Sequence, residues 1–491
     1  MRSTVLSNGS KMARWAVSAG LAIVITVLSF AFHRPPRVVD ALTGAPVEGI
    51  EILISTWRTL FEPFLGPLLF YLRADQPLIE ISVLLLWLVL LLLPVVVLRT
   101  PGRGTARLSR GTLFWLAILP ILLITWSAVV LVIVFAPLPS NTVRNLDPDR
   151  ILVNIHSHTH YSHDGIIPPE ELARWHRRNG FDAFFITEHN HHGKTLEWVR
   201  AQEQGRWVDH PLLLAGQEYS GSNHILLLGL VRDFATKDMA DETAMDSAHA
   251  QGGAVIVAHW FADHRRPVLD YIQMGADGFE IANQAEGLQV DPRYLDEILR
   301  GCEAHGLLTL VSCDYHGYGS AAYAWNAIRL PGWRDLPPRS KRRAIVRILR
   351  ERRGEAVRPF LYSDREFLPR ALVSLTPLHN AVSYFRSLSA KQTLSWVVWI
   401  GIFTLLFRIA GSRARSRGFR LWAYLGMISA CFTALVGLRL LARAGGLSGY
   451  NEIYMEYGQY FLIFGLLFFA YSVILRYGGG LKRLRLSRTK H

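Results

Sequence analysis

Six uncharged apolar runs bracket a long stretch that has none: Trp15–Phe32, Ile81–Leu98 and Thr112–Leu138 on one side, Thr393–Phe407, Leu421–Leu438 and Tyr457–Leu475 on the other. A bilayer core is crossed by about 18–20 apolar residues in helical conformation, and five of the runs reach or nearly reach that length. Thr393–Phe407 is shorter, but Lys391 and Arg408 flank it and can snorkel to the headgroups. The pattern predicts six transmembrane helices in two groups of three, over residues 1–139 and 391–491, with residues 140–390 as an insertion between them.

Charge sets the orientation. Arg2, Lys11 and Arg14 precede the first run, and Arg99, Arg103, Arg107 and Arg110 separate the second from the third. Arg408, Arg413, Arg415, Arg417 and Arg420 separate the fourth from the fifth, and Arg476, Lys482, Arg483, Arg485, Arg488 and Lys490 follow the sixth. Six spans bring all four clusters to one face, which the positive-inside rule makes cytoplasmic. Both termini are then cytoplasmic and the insertion lies outside, at the periplasmic or outer face of a cell membrane. The net charge of +14 belongs to these flanks, because acidic residues outnumber basic ones 31 to 28 between Asn141 and Ala390. That distribution excludes a duplex-binding face, and no nucleic-acid partner is expected. Trp57–Ala74 is apolar but carries Arg58, Glu62, Pro63 and Pro67, so it reads as an interfacial segment or as a packing cap over the bundle.

Within the insertion, short apolar strands alternate with amphipathic helices. Ile151–Ile155, Ala183–Thr187, Leu212–Ala215, Ile225–Leu230, Val255–Ala258, Phe279–Ala282 and Leu307–Ser312 read as strands; Pro168–Asn179, Met239–Gln251 and Pro292–His305 read as helices. This is the signature of a parallel α/β unit. Nearly every strand ends in an ionisable residue: His156 and His158, Glu188 and His189, Glu218, His259, Glu280, then Asp314 and His316. In a barrel of parallel strands those ends converge on one mouth, and so many buried ionisable groups need metal to neutralise them.

The run His156-Ser-His158-Thr-His160-Tyr-Ser162-His163-Asp164-Gly165 resembles the first motif of the PHP (polymerase and histidinol phosphatase) metallohydrolases. The resemblance continues through Thr187-Glu188-His189, Gly216-Gln217-Glu218, His224, Ala258-His259, Glu280 and Ser312-Cys313-Asp314-Tyr315-His316-Gly317, in the order of the CehA/McbA-like branch. It covers Ile151 to about Leu330. It implies a distorted (β/α)7 barrel, here flanked by two groups of three transmembrane helices, holding two or three divalent ions (Zn, Mn or Fe). By the same resemblance His156, His158, His189, Glu218, His224, His259, Asp314 and His316 are metal ligands. Glu188 stands where the family carries aspartate and joins the ligand set or orients His189. One extra residue in the first motif leaves His163 or Asp164 as its last ligand, with Asp164 favoured by the glycine after it.

Divalent ions held by imidazoles and carboxylates serve hydrolysis. Asp314 is the expected acceptor of the water proton, and His189 or His316 the donor to the leaving group. Arg265 and Arg266 reach a phosphate over the mouth or lie in a solvated loop, and Asn283 contacts substrate or caps its strand. Cys313 points away from the metals. The basic run Arg339–Arg353 meets anionic headgroups or caps the barrel. The expected activity is hydrolysis of a phosphate ester outside the cytoplasm, with a small molecule, a lipid or a lipid-linked compound as substrate and the bilayer as partner. Cleavage of carbamates, amides or esters is the alternative; a non-catalytic metal-binding sensor or transporter ectodomain is the other.

Overall fold

A computed structural model describes residues 2–98, 125–410, 418–447 and 449–487. The expected basic loop Arg99–Arg110, the first part of the Thr112–Leu138 run, and Arg413, Arg415, Arg417, Arg488 and Lys490 lie outside the described residues. Twelve strands are described: β1 (Arg37–Asp40), β2 (Ile50–Leu53), β3 (Thr142–Asn145), β4 (Arg150–Asn154), β5 (Ala183–Ile186), β6 (Leu212–Ser220), β7 (His224–Leu228), β8 (Ala254–Val257), β9 (Gly278–Asn283), β10 (Leu308–Ser312), β11 (Ala324–Arg329) and β12 (Val357–Ser363). Ten of them form one sheet in the order β1-β12-β11-β4-β5-β6-β7-β8-β9-β10, and β2 pairs with β3 alone.

The alternation predicted from the sequence is kept in two parallel blocks, β4-β5-β6 and β8-β9-β10. Between them β7 runs antiparallel to both neighbours. The reason is local: β6 continues to Ser220 and turns back through Gly221-Ser222-Asn223, too few residues for the crossover that a parallel pair needs. At the other end β11, β12 and β1 are antiparallel. The fold is therefore mixed α/β with a curled ten-stranded sheet rather than a plainly seven-stranded parallel barrel. β1 and β2 precede residue 139 in the chain, yet one joins this sheet and the other pairs with β3.

One side chain draws the sheet round. Asn326 of β11 accepts from the Val311 N–H of β10 at 3.0 Å and donates to the Val311 carbonyl at 2.7 Å. These strands stand far apart in the sheet order, so the amide stands in for a missing strand pair where the curl comes back on itself. Alternate residues then face two environments. Ile151, Val153, Phe185, Leu214, Leu226, Ile256 and Leu310 fill the inside. Leu152, Phe184, Leu213, Leu227 and Val257 face outward.

Helices cover that outer face and one end. The N-terminal helices are α1 (Arg2–Ala31), α2 (Thr56–Leu60), α3 (Glu62–Tyr71), α4 (Pro77–Leu98) and α5 (Thr125–Phe135). Those of the α/β body are α6 (Pro169–Arg178), α7 (Gly193–Glu203), α8 (Asp241–His249), α9 (Trp260–Asp263), α10 (Val268–Gln273), α11 (Pro292–His305) and α12 (Pro338–Arg350). The chain ends in α13 (Thr376–Ser387), α14 (Ala390–Ala410), α15 (Gly418–Arg443) and α16 (Glu452–Ser487). Leu172 and Trp175 of α6 and Ile298 and Cys302 of α11 pack on the outside of the sheet. The basic helix α12 buries Ile345, Ile348 and Leu349 against the inner cluster, beside Ile151, Leu212, Ala254 and Leu308 at the starts of their strands. It closes the end of the curl away from the strand termini that carry the ionisable residues.

α15 and α16 hold the stretches Gly426–Arg443 and Glu452–Val473, long and apolar enough to cross a membrane. Shorter apolar stretches occupy α1 (Trp15–Ala31), α4 (Ile79–Leu88), α5 (Thr125–Phe135) and α14 (Ala390–Leu406) over the described residues. α15 and α16 approach closely at glycines: a Cβ on Gly437 would lie 2.5 Å from the Leu462 nitrogen, and one on Gly465 2.5 Å from that of Ala434. The Trp57–Ala74 segment forms α2 and α3 and packs on this assembly. Phe64 meets Trp399 edge-on at 4.9 Å, and buried Glu62 accepts from Tyr384 and Gln392. Its arginines face the sheet: Arg58 donates to the Asn141 side chain and Arg73 to the Asn141 carbonyl.

Replacing Asn326 by Leu leaves a buried N–H and a buried C=O of Val311 without partners, at a cost of about 2–4 kcal/mol. Thermal unfolding of the purified full-length protein will show a clearly lowered midpoint for Asn326→Leu. An unchanged midpoint would mean that the curl is held by other contacts.

Candidate metal centre

The strand ends opposite α12 bring the ionisable residues together. His156 and His158 follow β4, His189 follows β5, Glu218 lies in β6, His224 opens the antiparallel β7, His259 follows β8 and Asp314 follows β10. The turn that makes β7 antiparallel is what brings the first residue of that strand to this end. Two of these positions are strained: His259 and Asp314 have φ of +25° and +42°, a region that side chains rarely adopt.

The ligand-type atoms converge in three overlapping groups: His156, His158, Glu218 and Asp314; His158, Asp164, His189 and His316; and His189, Glu218 and His224. In the first, Nε2 of His156 and Nε2 of His158 each lie 3.0 Å from Glu218 Oε2 and 3.1 Å from Asp314 Oδ1. In the second, Asp164 Oδ2 is 2.8 Å from His189 Nε2 and 3.1 Å from His316 Nε2. In the third, Glu218 Oε1 lies 2.7 Å from His224 Nδ1, and also 3.3 Å from His259 Nε2. Glu218 thus faces imidazoles with both oxygens.

Burial makes this arrangement expensive unless something binds there. His156 Nε2, His158 Nε2 and Asp314 Oδ1 are buried without a hydrogen-bond partner, so their short mutual approaches are not aligned hydrogen bonds; Asp164 Oδ1 is also buried without one, while its Oδ2 is hydrogen-bonded to His189 and His316. The opposite ring nitrogens are all anchored. Nδ1 of His156 meets Glu280 Oε1 at 3.1 Å, that of His158 meets Ser162 Oγ at 3.1 Å, that of His189 meets Ser220 Oγ at 3.0 Å, and that of His316 meets the Asp314 carbonyl at 2.8 Å. A carboxylate or carbonyl at Nδ1 fixes the proton there for His156 and His316, which turns the lone pair of Nε2 into the cluster. This is how metal-binding histidines are oriented, and the residues present could hold divalent metal ions. Burial alone would raise the Glu218 carboxyl, but His156, His189 and His224 outweigh it and hold it well below the usual range. For Asp314, His156 and His316 likewise overcome burial.

Several expected site residues stand elsewhere. His163 is outside the three groups: its side chain is 40% exposed and turns toward Glu452, 3.8 Å away. Asp164 points inward instead. Glu188 belongs to none of the groups and does not meet His189; its carboxylate accepts from the Thr159 N–H at 3.2 Å and from the Thr159 hydroxyl, and burial pushes it up to about 7. The extra methylene relative to aspartate carries the carboxylate into the first-motif loop. Asn283 is buried with its capacity spent, donating to Glu280 and Asp314 and accepting from Ala285 N and Glu286 N, which leaves nothing for a substrate. Arg265 pairs with Asp263, and Arg266 lies 3.5 Å from Asp241 and donates to Ser222; neither joins the groups. Cys313 is buried, its thiol donating to the Ala324 carbonyl and pushed up to about 12 by burial.

The contact between this site and the C-terminal helices has no counterpart among the sequence motifs. Asn451, in the turn before α16, is buried and donates its side-chain amide to the Gly165 carbonyl at 2.5 Å, while the Glu452 N–H donates to the His163 carbonyl at 2.9 Å. Gly165 has no room for a side chain, since a Cβ would lie 2.0 Å from the Thr159 carbonyl. The loop bearing Asp164 is thereby clamped between the first motif and the α15–α16 turn. Tyr318, two residues after His316, packs into the apolar cluster of α4, α5, α15 and α16, and Gly319 N–H donates to the Val134 carbonyl at 2.7 Å. An uncharged Asn between two apolar runs offers no chemical signal in the sequence, so only the three-dimensional contact reveals it.

No family model matches the chain, and no curated protein does. Among solved structures, the crystal structure of PsfC from Pseudomonas syringae PB-5123 is similar over 53% of this chain and 99% of its own, at 14% identity and a TM-score of 0.31. The structure of an amidohydrolase from Chromobacterium violaceum with bound sulfate and no metal is similar over 38% of this chain and 98% of its own, at 16% identity and a TM-score of 0.27. At these scores neither likeness bears on function, which rests on the site itself.

Two substitutions separate the roles. Asp314→Asn removes a charge shared by the first group, and metal content by elemental analysis will fall by at least one ion per chain. Asn451→Ala frees the Asp164 loop, and titration of chelator-treated protein with Mn²⁺ will show a roughly 10–100-fold weaker site with the remaining ones unchanged. Equal weakening of every site would deny Asn451 a specific link to Asp164.

Proposed function

We propose that this chain is a membrane-anchored, metal-dependent hydrolase of the PHP type that cleaves phosphate esters outside the cytoplasm. The observation that carries the reading is the set of buried, partnerless Nε2 and carboxylate atoms aimed at one another while each Nδ1 of His156, His158, His189 and His316 is anchored from behind. His156, His158, Glu218 and Asp314 would hold one ion, Asp164, His189 and His316 with His158 a second, and Glu218 with His189, His224 and His259 a third. When bound there, divalent Zn, Mn or Fe ions lower the pKa of a coordinated water toward ~7 and polarise the phosphoryl oxygens.

The chain's own residues do the rest. Glu280 and Asn283 hold His156 and Asp314 in place, and Ser162 and Ser220 hold His158 and His189. Asp314 accepts the proton that the attacking water gives up. The new P–O bond forms to that water oxygen, the ester P–O bond breaks, and the departing alkoxide leaves as an alcohol with the proton that Asp314 took from the water. Six spans with the four basic clusters inside give the topology, and residues 140–390 carry the chemistry on the outer side, with the bilayer as partner. The contacts of the α15–α16 turn with Gly165 and His163 support a site that faces its own anchor.

A hydrolysis panel on purified protein tests this. Mn²⁺- or Zn²⁺-loaded wild type will release phosphate from phosphomonoesters, chelation will abolish the turnover, and Asp314→Asn will lose it by 10²-fold or more. Turnover of carbamates, amides or carboxylic esters alone would sink the phosphoesterase reading, and no turnover with metals bound would sink the enzyme.

A further inference from the structure

We infer that the cavity between α4 and α16 takes the hydrocarbon chain of an amphiphilic phosphate ester whose headgroup is cleaved at the metal groups. The inference rests on the phosphoesterase reading above and specifies its substrate class. The cavity, of about 490 Å³, is lined by Ile79, Val83 and Leu86 of α4 and by Tyr457 and Tyr460 of α16, with Ser82 and Glu456 supplying polar atoms. That volume falls within the roughly 300–1,000 Å³ of ordinary ligand sites. The walls are mostly apolar, as a hydrocarbon chain requires and a free phosphate does not.

Continuity with the metal groups identifies the occupant. Tyr457 belongs to the same apolar cluster as Tyr318, and the Tyr318 ring stacks beside that of His316 with centroids 6.0 Å apart. His316 in turn lies 3.1 Å from Asp164. The Tyr457 end of the cavity is thus the end nearer the cluster, and a molecule with its chain there would reach the metal groups past Tyr318. Charge favours the same orientation: the Glu456 carboxylate repels a phosphate from the cavity, whereas divalent ions held by the metal groups would attract it. The mouth of the site is also bonded to the apolar helices, at Asn451–Gly165, Glu452–His163 and Gly319–Val134. An amphiphile held in the bilayer reaches such a site without leaving it.

The test uses the metal-loaded full-length protein in bilayer nanodiscs with butyl, octyl and hexadecyl phosphate. Longer chains gather in the bilayer, so kcat/KM will rise along the series, and the share that belongs to the cavity is read from the substitutions rather than from the rise itself. Val83→Trp fills the cavity and will collapse the hexadecyl-to-butyl ratio, whereas Leu91→Trp, also on α4 but outside the cavity lining, will preserve it. A hexadecyl phosphate carrying a mid-chain diazirine will label Ile79–Leu86 and Glu456–Tyr460 on irradiation. Equal kcat/KM for butyl and hexadecyl phosphate, or labelling spread evenly over α1, α14 and α15, would overturn the inference and leave the phosphoesterase standing. Failure to cleave any alkyl phosphate would overturn both.

Discussion

Burying His156, His158, His189, Glu218, His259, Asp314 and His316 together at one end of an apolar curl is the constraint around which this molecule is built. Each imidazole and carboxylate there has given up water, and the loss is compensated only where charges of opposite sign, anchoring hydrogen bonds and bound cations act together. The structure supplies the anchors: Glu280 and the Asp314 carbonyl for His156 and His316, and the hydroxyls of Ser162 and Ser220 for His158 and His189. It also tolerates unfavourable backbone at His259 and Asp314 to aim those side chains. Local strain of this kind, of order 1–3 kcal/mol per residue, persists only where the surroundings fix it. Here those surroundings are the packed strands on one side and the apolar helices on the other.

The rest of the fold divides into parts that hold the cluster and parts that keep water from the opposite end. Asn326 ties β10 to β11 and so brings the Asp314 strand next to the strand that precedes His156. At the far end α12 inserts Ile345, Ile348 and Leu349 among the starts of the strands, and its buried Arg342 donates to the Leu213 carbonyl. That placement selects the capping role for the basic run Arg339–Arg353. The helix sits away from the end that touches the apolar helices.

What the sequence made legible was whatever depends on short-range pattern. Strand cores such as Leu212–Ala215 and Val255–Ala258 are continuous apolar runs, and an ionisable residue at the end of each is visible without coordinates. Features set by distant contacts were not visible. The choice between His163 and Asp164 depends on how the loop is held, and the groups that hold it, Asn451 and Glu452, lie almost three hundred residues away. β11 and β12 carry no strand pattern in the sequence because Trp325-Asn326-Ala327 and Arg358-Pro359 interrupt any simple alternation, and β1 is four residues long and lies between apolar runs. Asn283 looked like a free polar group because its two carboxylate partners belong to the ends of different strands.

β1 has a consequence for how the two halves of the chain depend on each other. It covers the edge of β12 with four antiparallel residue pairs, although it lies just beyond α1 and far from the strands it completes. A segment cut at residues 140 and 390 would expose that edge, an open template for pairing with other chains, and would lose the Asn451 clamp on the loop of Asp164. The apolar helices and the α/β body are therefore not separable modules. Any derivative without the N- and C-terminal helices needs a substitute for both the strand and the clamp.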